Sequence, residues 1–456
     1  MEQREKFSSR IGFILISVGC AVGLGNVWRF PYIAGTYGGA AFVLIYLVFL
    51  AILGLPIMVM EFSVGRASQR SAARSFHVLE PKGTKWHFTS YLAIAGNYLL
   101  MMFYTTVGGW MLIYVKKMAF GEFSGKTAEE TGEIFYQMLA SPSSTMGGML
   151  LVVALGFLVC SMGLQKGVER ITKWMMGLLF VILLILCVRS MTLPGAGEGL
   201  AFYLVPDFGK IVEHGGGEVV FAAMGQAFFT LSLGIGAMAI FGSYIDKSRA
   251  LTGEAVNICL LDTVVAILSG LIIFPACSAF GVSPGQGPGL VFVTLPNIFN
   301  QMALGRLWGV LFFIFMSFAA LSTIIAVFQN IISFSQDLWG FDRKKASLVN
   351  GIAVAVLSIP CALGFNVWSN IQPLGAGSTI QDLEDFIISN NLLPLGSMLY
   401  LLFCTSRRGW GFRAFKKEAD TGDGLKFPGW ARVYVSYVLP VIVLVILVMG
   451  YWQKFS

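Results

Sequence analysis

Eleven apolar stretches of about 20 residues or more, joined by polar connections, constrain this chain more than any other feature. They run over 11–35, 40–64, 88–118, 146–164, 168–191, 218–245, 250–282, 304–337, 346–365, 381–404 and 430–453. At 1.5 Å per residue, a helix of that length spans the ~30 Å hydrocarbon of a bilayer. The pattern predicts an all-α membrane protein of eleven transmembrane helices. A soluble helical protein needs amphipathic helices around its buried ones, and no such set is visible. Only 12% of the residues are charged, against about 25% in a soluble domain.

The formal charge of +7 raises the question of nucleic acid, but the distribution of the basic residues answers it. Of 31 Lys and Arg, 23 fall in alternate connections that begin with the N-terminal tail: Arg4, Lys6 and Arg10, then Arg66 to Lys85, and so on to Arg407–Arg432. Seven fall on the opposite side, and Arg29 lies inside a span. The positive-inside bias puts the N-terminus in the cytoplasm, and eleven crossings then put Ser456 outside; the plasma membrane is the expected location. Topology accounts for the charge, so no nucleic-acid partner is expected. All seven cysteines lie in or at the ends of apolar runs, which implies no disulfide framework. The first run has no small-residue cleavage pattern and reads as a true helix, not a signal peptide.

Glycine placement carries the first functional information. The first span reads Gly19-Cys20-Ala21-Val22-Gly23-Leu24-Gly25-Asn26, and the sixth reads Thr230-Leu231-Ser232-Leu233-Gly234-Ile235-Gly236. Glycines at the middle of hydrophobic helices commonly serve close packing. Two such interruptions five helices apart, each beside small polar residues, point instead to an inverted-repeat transporter with broken helices. An unwound turn at mid-membrane frees carbonyls and amides, and is tolerated only where buried or lining a polar cavity.

Ionisable residues inside spans are functional candidates by default, and Arg29, Glu61 and Asp262 are the clearest. Asn26, Thr230 and Asp262, with main-chain carbonyls near Ala21, offer oxygen ligands suited to a hard cation. Ser322-Thr323 in the eighth span reads alone as ordinary back-bonding of hydroxyls to helix carbonyls. An enzyme is not expected: His77, His87 and His214 show no metal-ligand spacing, and no nucleophile pair or phosphate loop stands out.

At these residues the chain resembles the neurotransmitter:sodium symporter family, in particular its bacterial amino-acid transporters with the LeuT-type fold. The likeness runs end to end, and is densest over Gly19–Pro31 and Gly225–Gly234. It implies a 5+5 inverted repeat (helices 1–5 over about 11–191, helices 6–10 over about 218–404) plus one additional helix over about 430–453, in one transporter domain. It implies two sodium sites: Ala21, Asn26, Thr230 and Asp262 at the first; Gly19, Val22, Ala319, Ser322 and Thr323 at the second. Substrate would meet Tyr104 and the backbone near Ala21, Gly23 and Gly25, with Leu100, Phe229, Thr230, Ser232, Ile235, Thr323 and Val327 around its side chain. The outer gate would be Arg29 facing Asp385 with Gln226 nearby. The inner gate would be Arg4 with Asp337, supported by Tyr244 and Phe7.

Three departures refine the resemblance. Gly23 stands where amine-carrying relatives place an Asp, which favours a substrate with its own carboxylate. Asp262 stands where chloride-dependent relatives have a neutral Asn, which favours chloride independence. Gly177 stands ten residues after Gly167, where some bacterial relatives have a helix-unwinding Pro, so that hinge is expected to work differently. The resulting expectation is a sodium-coupled importer of a hydrophobic or aromatic L-amino acid, with lipid and substrate as its partners and no obligate protein partner. A non-transporting amino-acid receptor and a proton-coupled transporter are the alternatives.

Overall fold

The computed structural model describes residues 5–213, 215–282 and 289–455. Among them, nine helices are long and apolar enough to cross a membrane: Ala40–Ser68, Trp86–Phe120, Pro142–Ser161, Leu164–Met191, Leu251–Ala279, Gly305–Trp339, Arg343–Leu363, Ile380–Thr405 and Ala431–Phe455. A tenth crossing is the pair Arg10–Ala21 and Gly25–Thr36, bent by 55° at the break between them. The remaining expected span is a second broken one, Gly216–Thr230 followed by Ala237–Gly242. Its two pieces are individually too short to cross. All these elements fall within a few residues of the apolar runs, the usual spread for helix ends. Both broken spans lie where the glycine clusters predict.

The third span (Trp86–Phe120) and the eighth (Gly305–Trp339) form the centre. Their most apolar windows are 67% and 72% buried, against 28% for the eleventh span, Ala431–Phe455, which lies at the periphery. Outward-facing Leu, Val and Ile on the peripheral helices form the lipid-facing surface that hydropathy implies.

The second span packs against the sixth at a distance set by glycine. A Cβ on Gly65 would sit 1.8 Å from the Ala239 carbonyl oxygen, and one on Gly242 would sit 2.4 Å from that of Phe62. Backbone cannot yield there as a flexible side chain can. Gly65→Ala is therefore expected to cost about 1–3 kcal/mol of overpacking, seen as a lower thermal midpoint of the detergent-purified protein. An unchanged midpoint would count against this backbone contact.

Connections of one parity share one face of the molecule. Buried Arg66 donates to Glu418 Oε1 at 2.7 Å and to the Arg249 carbonyl at 2.7 Å, joining three loops that the alternate-loop count assigns to the same side. Arg10 pairs with Glu254 at 2.9 Å, and Lys173 with Glu169 at 2.8 Å, on that face. The opposite connections contain short helices that hydropathy does not reveal: Ala128–Ala140, Ala196–Leu204 and Leu295–Gln301. Thr127 caps the first of these in a reciprocal box with Glu130.

Candidate ion and substrate site

The two breaks arise differently. In the first span Val22 leaves the helix at φ −69° and ψ 103°. The freed amides take partners, as buried backbone must. Leu24 N–H donates to the Tyr104 hydroxyl at 2.9 Å, and Gly23 N–H donates to Asn26 Oδ1 at 3.2 Å. The chain then restarts as a π turn over Gly25–Arg29. In the sixth span, Ser232, Gly234 and Gly236 take φ of 51°, 96° and 73°. Glycine enters this left-handed region freely, whereas Ser232 is strained there.

Side chains from other spans hold the second break. Glu61, wholly buried, accepts the Gly234 N–H at 2.5 Å and the Met238 N–H at 3.2 Å. Asn97 donates to the Ile235 carbonyl at 2.9 Å and accepts from Asn330 at 2.7 Å. Glu61 therefore serves orphaned amides, a use that the sequence leaves unassigned.

Two oxygen clusters flank the first break. In one, Asn26 Nδ2 donates to Thr230 Oγ1 at 3.0 Å and to Asp262 Oδ1 at 2.8 Å, while Thr230 Oγ1 donates to Asp262 Oδ2 at 3.0 Å. Asp262 is 0% exposed, and no basic side chain pairs with it among the described residues. A buried carboxylate with only neutral partners lacks a counter-charge, which a bound cation would supply. In the other cluster, the Thr323 hydroxyl lies 3.2 Å from the Gly19 carbonyl oxygen, 3.3 Å from that of Val22 and 3.4 Å from that of Ala319. Ser322 Oγ lies 3.0 Å from the Ala319 oxygen. One hydroxyl proton cannot satisfy three carbonyls at such distances, whereas a hard cation suits this all-oxygen set. Local back-bonding accounts for Ser322 alone.

Between the clusters lies a cavity lined by Cys20, Ala21, Gly23, Gly25, Leu100, Tyr104, Phe229, Ser232, Thr323, Ile388 and Leu393. Thr230, Ile235 and Val327, expected at its wall, are buried and are not among the residues that line it. The Ile235 side chain packs instead on Gly96, where a Cβ would approach to 2.6 Å. Ile388 and Leu393 of the tenth span, with Cys20, line it in addition to the expected residues. The sequence sign of the tenth span's involvement is Asn390-Asn391 inside an apolar run; in the structure the pair lies within a π turn over Ile388–Leu392.

On one side, the Arg29 guanidinium carbon lies 4.3 Å from the Phe229 ring centroid, a cation–π contact. Arg29 and Asp385 are not in direct ion-pair contact among the described residues; Asp385 instead accepts from Ser389 at 2.7 Å. Gln226 links the two broken spans by donating to the Gly25 carbonyl at 3.0 Å. On the other side, Asp337 accepts the Ser71 N–H at 2.7 Å and faces Arg70 at 3.5 Å. Arg4, expected as its partner, lies outside the described residues. Tyr244 meets Ser333 at 2.7 Å and accepts from Gln329 at 2.7 Å, while the Phe7 ring stands edge-on at 5.5 Å.

Broken helices around one buried cavity, with two oxygen clusters beside the first break, are the features of a membrane transporter and not of an enzyme. Residues 4–131 and 137–454 match the model of the sodium:neurotransmitter symporter family. An uncharacterized sodium-dependent transporter, YhdH of Bacillus subtilis strain 168, is 38% identical over 398 residues, covering 87% of each chain. An uncharacterized sodium-dependent transporter of Haemophilus influenzae is 33% identical over 459 residues, covering 98% of each. A crystal structure of MhsT in complex with L-phenylalanine superposes with a TM-score of 0.87 at 38% identity, covering 98% of this chain and 100% of that one. The chain belongs to the sodium:neurotransmitter symporter family and has its LeuT-type fold. It is a multi-pass, sodium-dependent membrane transporter.

Proposed function

We propose that this protein imports a hydrophobic or aromatic L-amino acid by alternating access, coupled to two sodium ions and independent of chloride. The observation that carries the reading is the convergence of two oxygen clusters and an apolar cavity on the first helix break. The first ion is held by Ala21, Asn26, Thr230 and Asp262; the second by Gly19, Val22, Ala319, Ser322 and Thr323. The substrate carboxylate takes the space beside Gly23 and meets Tyr104, whose hydroxyl stands only 2.2 Å from where a Cβ would lie. Asp262 supplies the negative charge that chloride would otherwise bring.

Sodium binding holds the cavity open toward Arg29. Substrate then bridges the first, third, sixth and eighth spans, Phe229 closes over it, and loss of the second ion releases the Asp337 side. The face carrying Asp337 and most of the loop Lys and Arg is cytoplasmic, with the N-terminus, and the C-terminus is outside. The whole of 1–456 acts as one transporter unit in the plasma membrane.

Leu100, Phe229, Ile388 and Leu393 make the side-chain pocket apolar. Burying a large apolar side chain there is worth about 1.5–3 kcal/mol. MhsT, seen with L-phenylalanine, agrees with that preference. Purified protein in liposomes should accumulate labelled leucine, tyrosine or tryptophan on an inward sodium gradient with gluconate replacing chloride, and glycine should compete poorly. No accumulation, or glycine outcompeting all three, would refute the reading.

A further inference from the structure

Outside the central site, the one gathering of three metal-ligating side chains among the described residues lies in the connection between the second and third spans. His77 is near the end of the helix Ala72–Leu79, Glu80 follows that helix, and His87 lies in the single turn Trp86–Phe88 that opens the third span. A tight turn between them, with Thr84 N–H donating to the Pro81 carbonyl at 3.1 Å, folds the chain back on itself. Both histidines thereby reach one carboxylate oxygen. Glu80 Oε1 lies 3.2 Å from His77 Nδ1 and 2.8 Å from His87 Nδ1, and ligand atoms of all three residues lie within 4.8 Å of one another.

These separations fit a common ion. Ligands at about 2.0–2.1 Å from a tetrahedral Zn2+ stand roughly 3.3 Å apart, close to the two Glu80–imidazole distances. Two imidazoles with one carboxylate select a borderline transition cation over Mg2+ or Ca2+. The His77 and His87 side chains are 63% and 37% exposed and that of Glu80 is 10% exposed, which leaves an entry path and room for a water ligand. Glu80 is held in place apart from any ion, because its Oε2 accepts the His87 N–H at 3.1 Å.

The place of the cluster gives it a consequence. The other end of Ala72–Leu79 is tied to the Asp337 gate: Ser71 N–H donates to Asp337 Oδ2 at 2.7 Å, and Arg74 donates to the Asp337 carbonyl at 3.1 Å. In between, Phe76 packs on Tyr400 and Phe403 with centroids 5.0 and 4.8 Å apart. An ion joining His77 and Glu80 to His87 fastens this helix to the start of the third span, one of the two central helices. We propose that His77, Glu80 and His87 form a binding site for a divalent transition cation of the Zn2+ class, whose occupation restrains the Ala72–Leu79 helix and slows transport.

The test uses the full chain, purified without a histidine tag, and zinc acetate as the probe. Calorimetric titration should give one ion per chain, with affinity falling about tenfold or more in His77→Ala and in His87→Ala and unchanged in His214→Ala. Equal affinity in the His77→Ala/His87→Ala double variant, or loss of binding in His214→Ala, would overturn the site. Should either histidine variant fail to fold, Co2+ on the wild type and on Glu80→Gln still decides. An intense visible band from four-coordinate Co2+ that is lost in Glu80→Gln supports the site, and a weak six-coordinate spectrum in the wild type overturns it. These readings require no substrate and so stand apart from the cargo assignment. In liposomes, Zn2+ should reduce sodium-driven uptake at least twofold, reversibly with chelator, and have no effect on the double variant. Unchanged wild-type uptake at saturating Zn2+ would overturn the restraint.

Discussion

Replacing Asp262 by asparagine is expected to cut sodium-driven uptake in chloride-free medium by about a hundredfold or more, and to make the residual activity rise on addition of chloride. Asp262 is wholly buried and holds Asn26 and Thr230 at 2.8 and 3.0 Å. Asparagine keeps the volume and one acceptor but removes the charge. At ~4 Å and an effective dielectric of 20, the lost attraction for a sodium ion is about 4 kcal/mol, large enough to empty a site of ordinary affinity. Chloride entering nearby restores part of that charge, as the neutral residue in chloride-dependent relatives implies. Uptake measured over a sodium titration, with gluconate and then chloride as the anion, checks both halves. Wild-type uptake that persists unchanged in the variant, with no response to chloride, would show that this carboxylate is not the counter-charge.

The second large effect is expected from a single methyl group. A Cβ on Gly23 would lie 2.2 Å from the Tyr104 hydroxyl and 2.8 Å from Thr323 Oγ1. Both are fixed: Tyr104 accepts from Leu24, and Thr323 faces the carbonyls of Gly19 and Val22. Gly23→Ala should therefore disturb the substrate position and the second cation cluster together. An overpacking cost of about 1–3 kcal/mol corresponds to roughly one to two orders of magnitude in affinity. Gly25→Ala is the milder comparison at the same cavity, since its Cβ would meet the edge of the Phe229 ring at 3.0 Å and the Thr230 Cα only at 3.9 Å. Sodium-dependent substrate binding should fall far more in Gly23→Ala than in Gly25→Ala. The reverse order, or two equal small losses, would show that the space beside Gly23 is not where the ligand lies.

Much of this architecture is legible from the chain because lipid leaves the backbone few choices. Spans must be helical and of bilayer length, and glycine pairs in their middles mark where that rule is broken. Asn26 and Asp262 were recognisable as candidates because polar groups in an apolar span are costly and need a use. The cavity wall was less legible. Ile388 and Leu393 are ordinary apolar residues whose inward position depends on how the tenth span packs, whereas Ile235 and Val327, equally buried, are not among the lining residues. Thr323 shows the same limit. Its spacing fits local back-bonding, and only the approach of Gly19 and Val22, some 300 positions away in the chain, makes it part of an oxygen cage.

The sequence by itself determined the class of solvent, the spans, the two breaks and the family, because each is a local property of composition and order. Tertiary structure decided what those breaks face. It closed the Asn26–Thr230–Asp262 cluster from three separate helices, placed Glu61 against the amides of the sixth span, and set Arg29 over the Phe229 ring. It also brought His77 and His87 onto Glu80, although the histidine spacing alone suggested no metal site. Hydrophobicity and glycine content act over a few residues, but charge compensation and coordination act through space. The chain must be folded before they have partners.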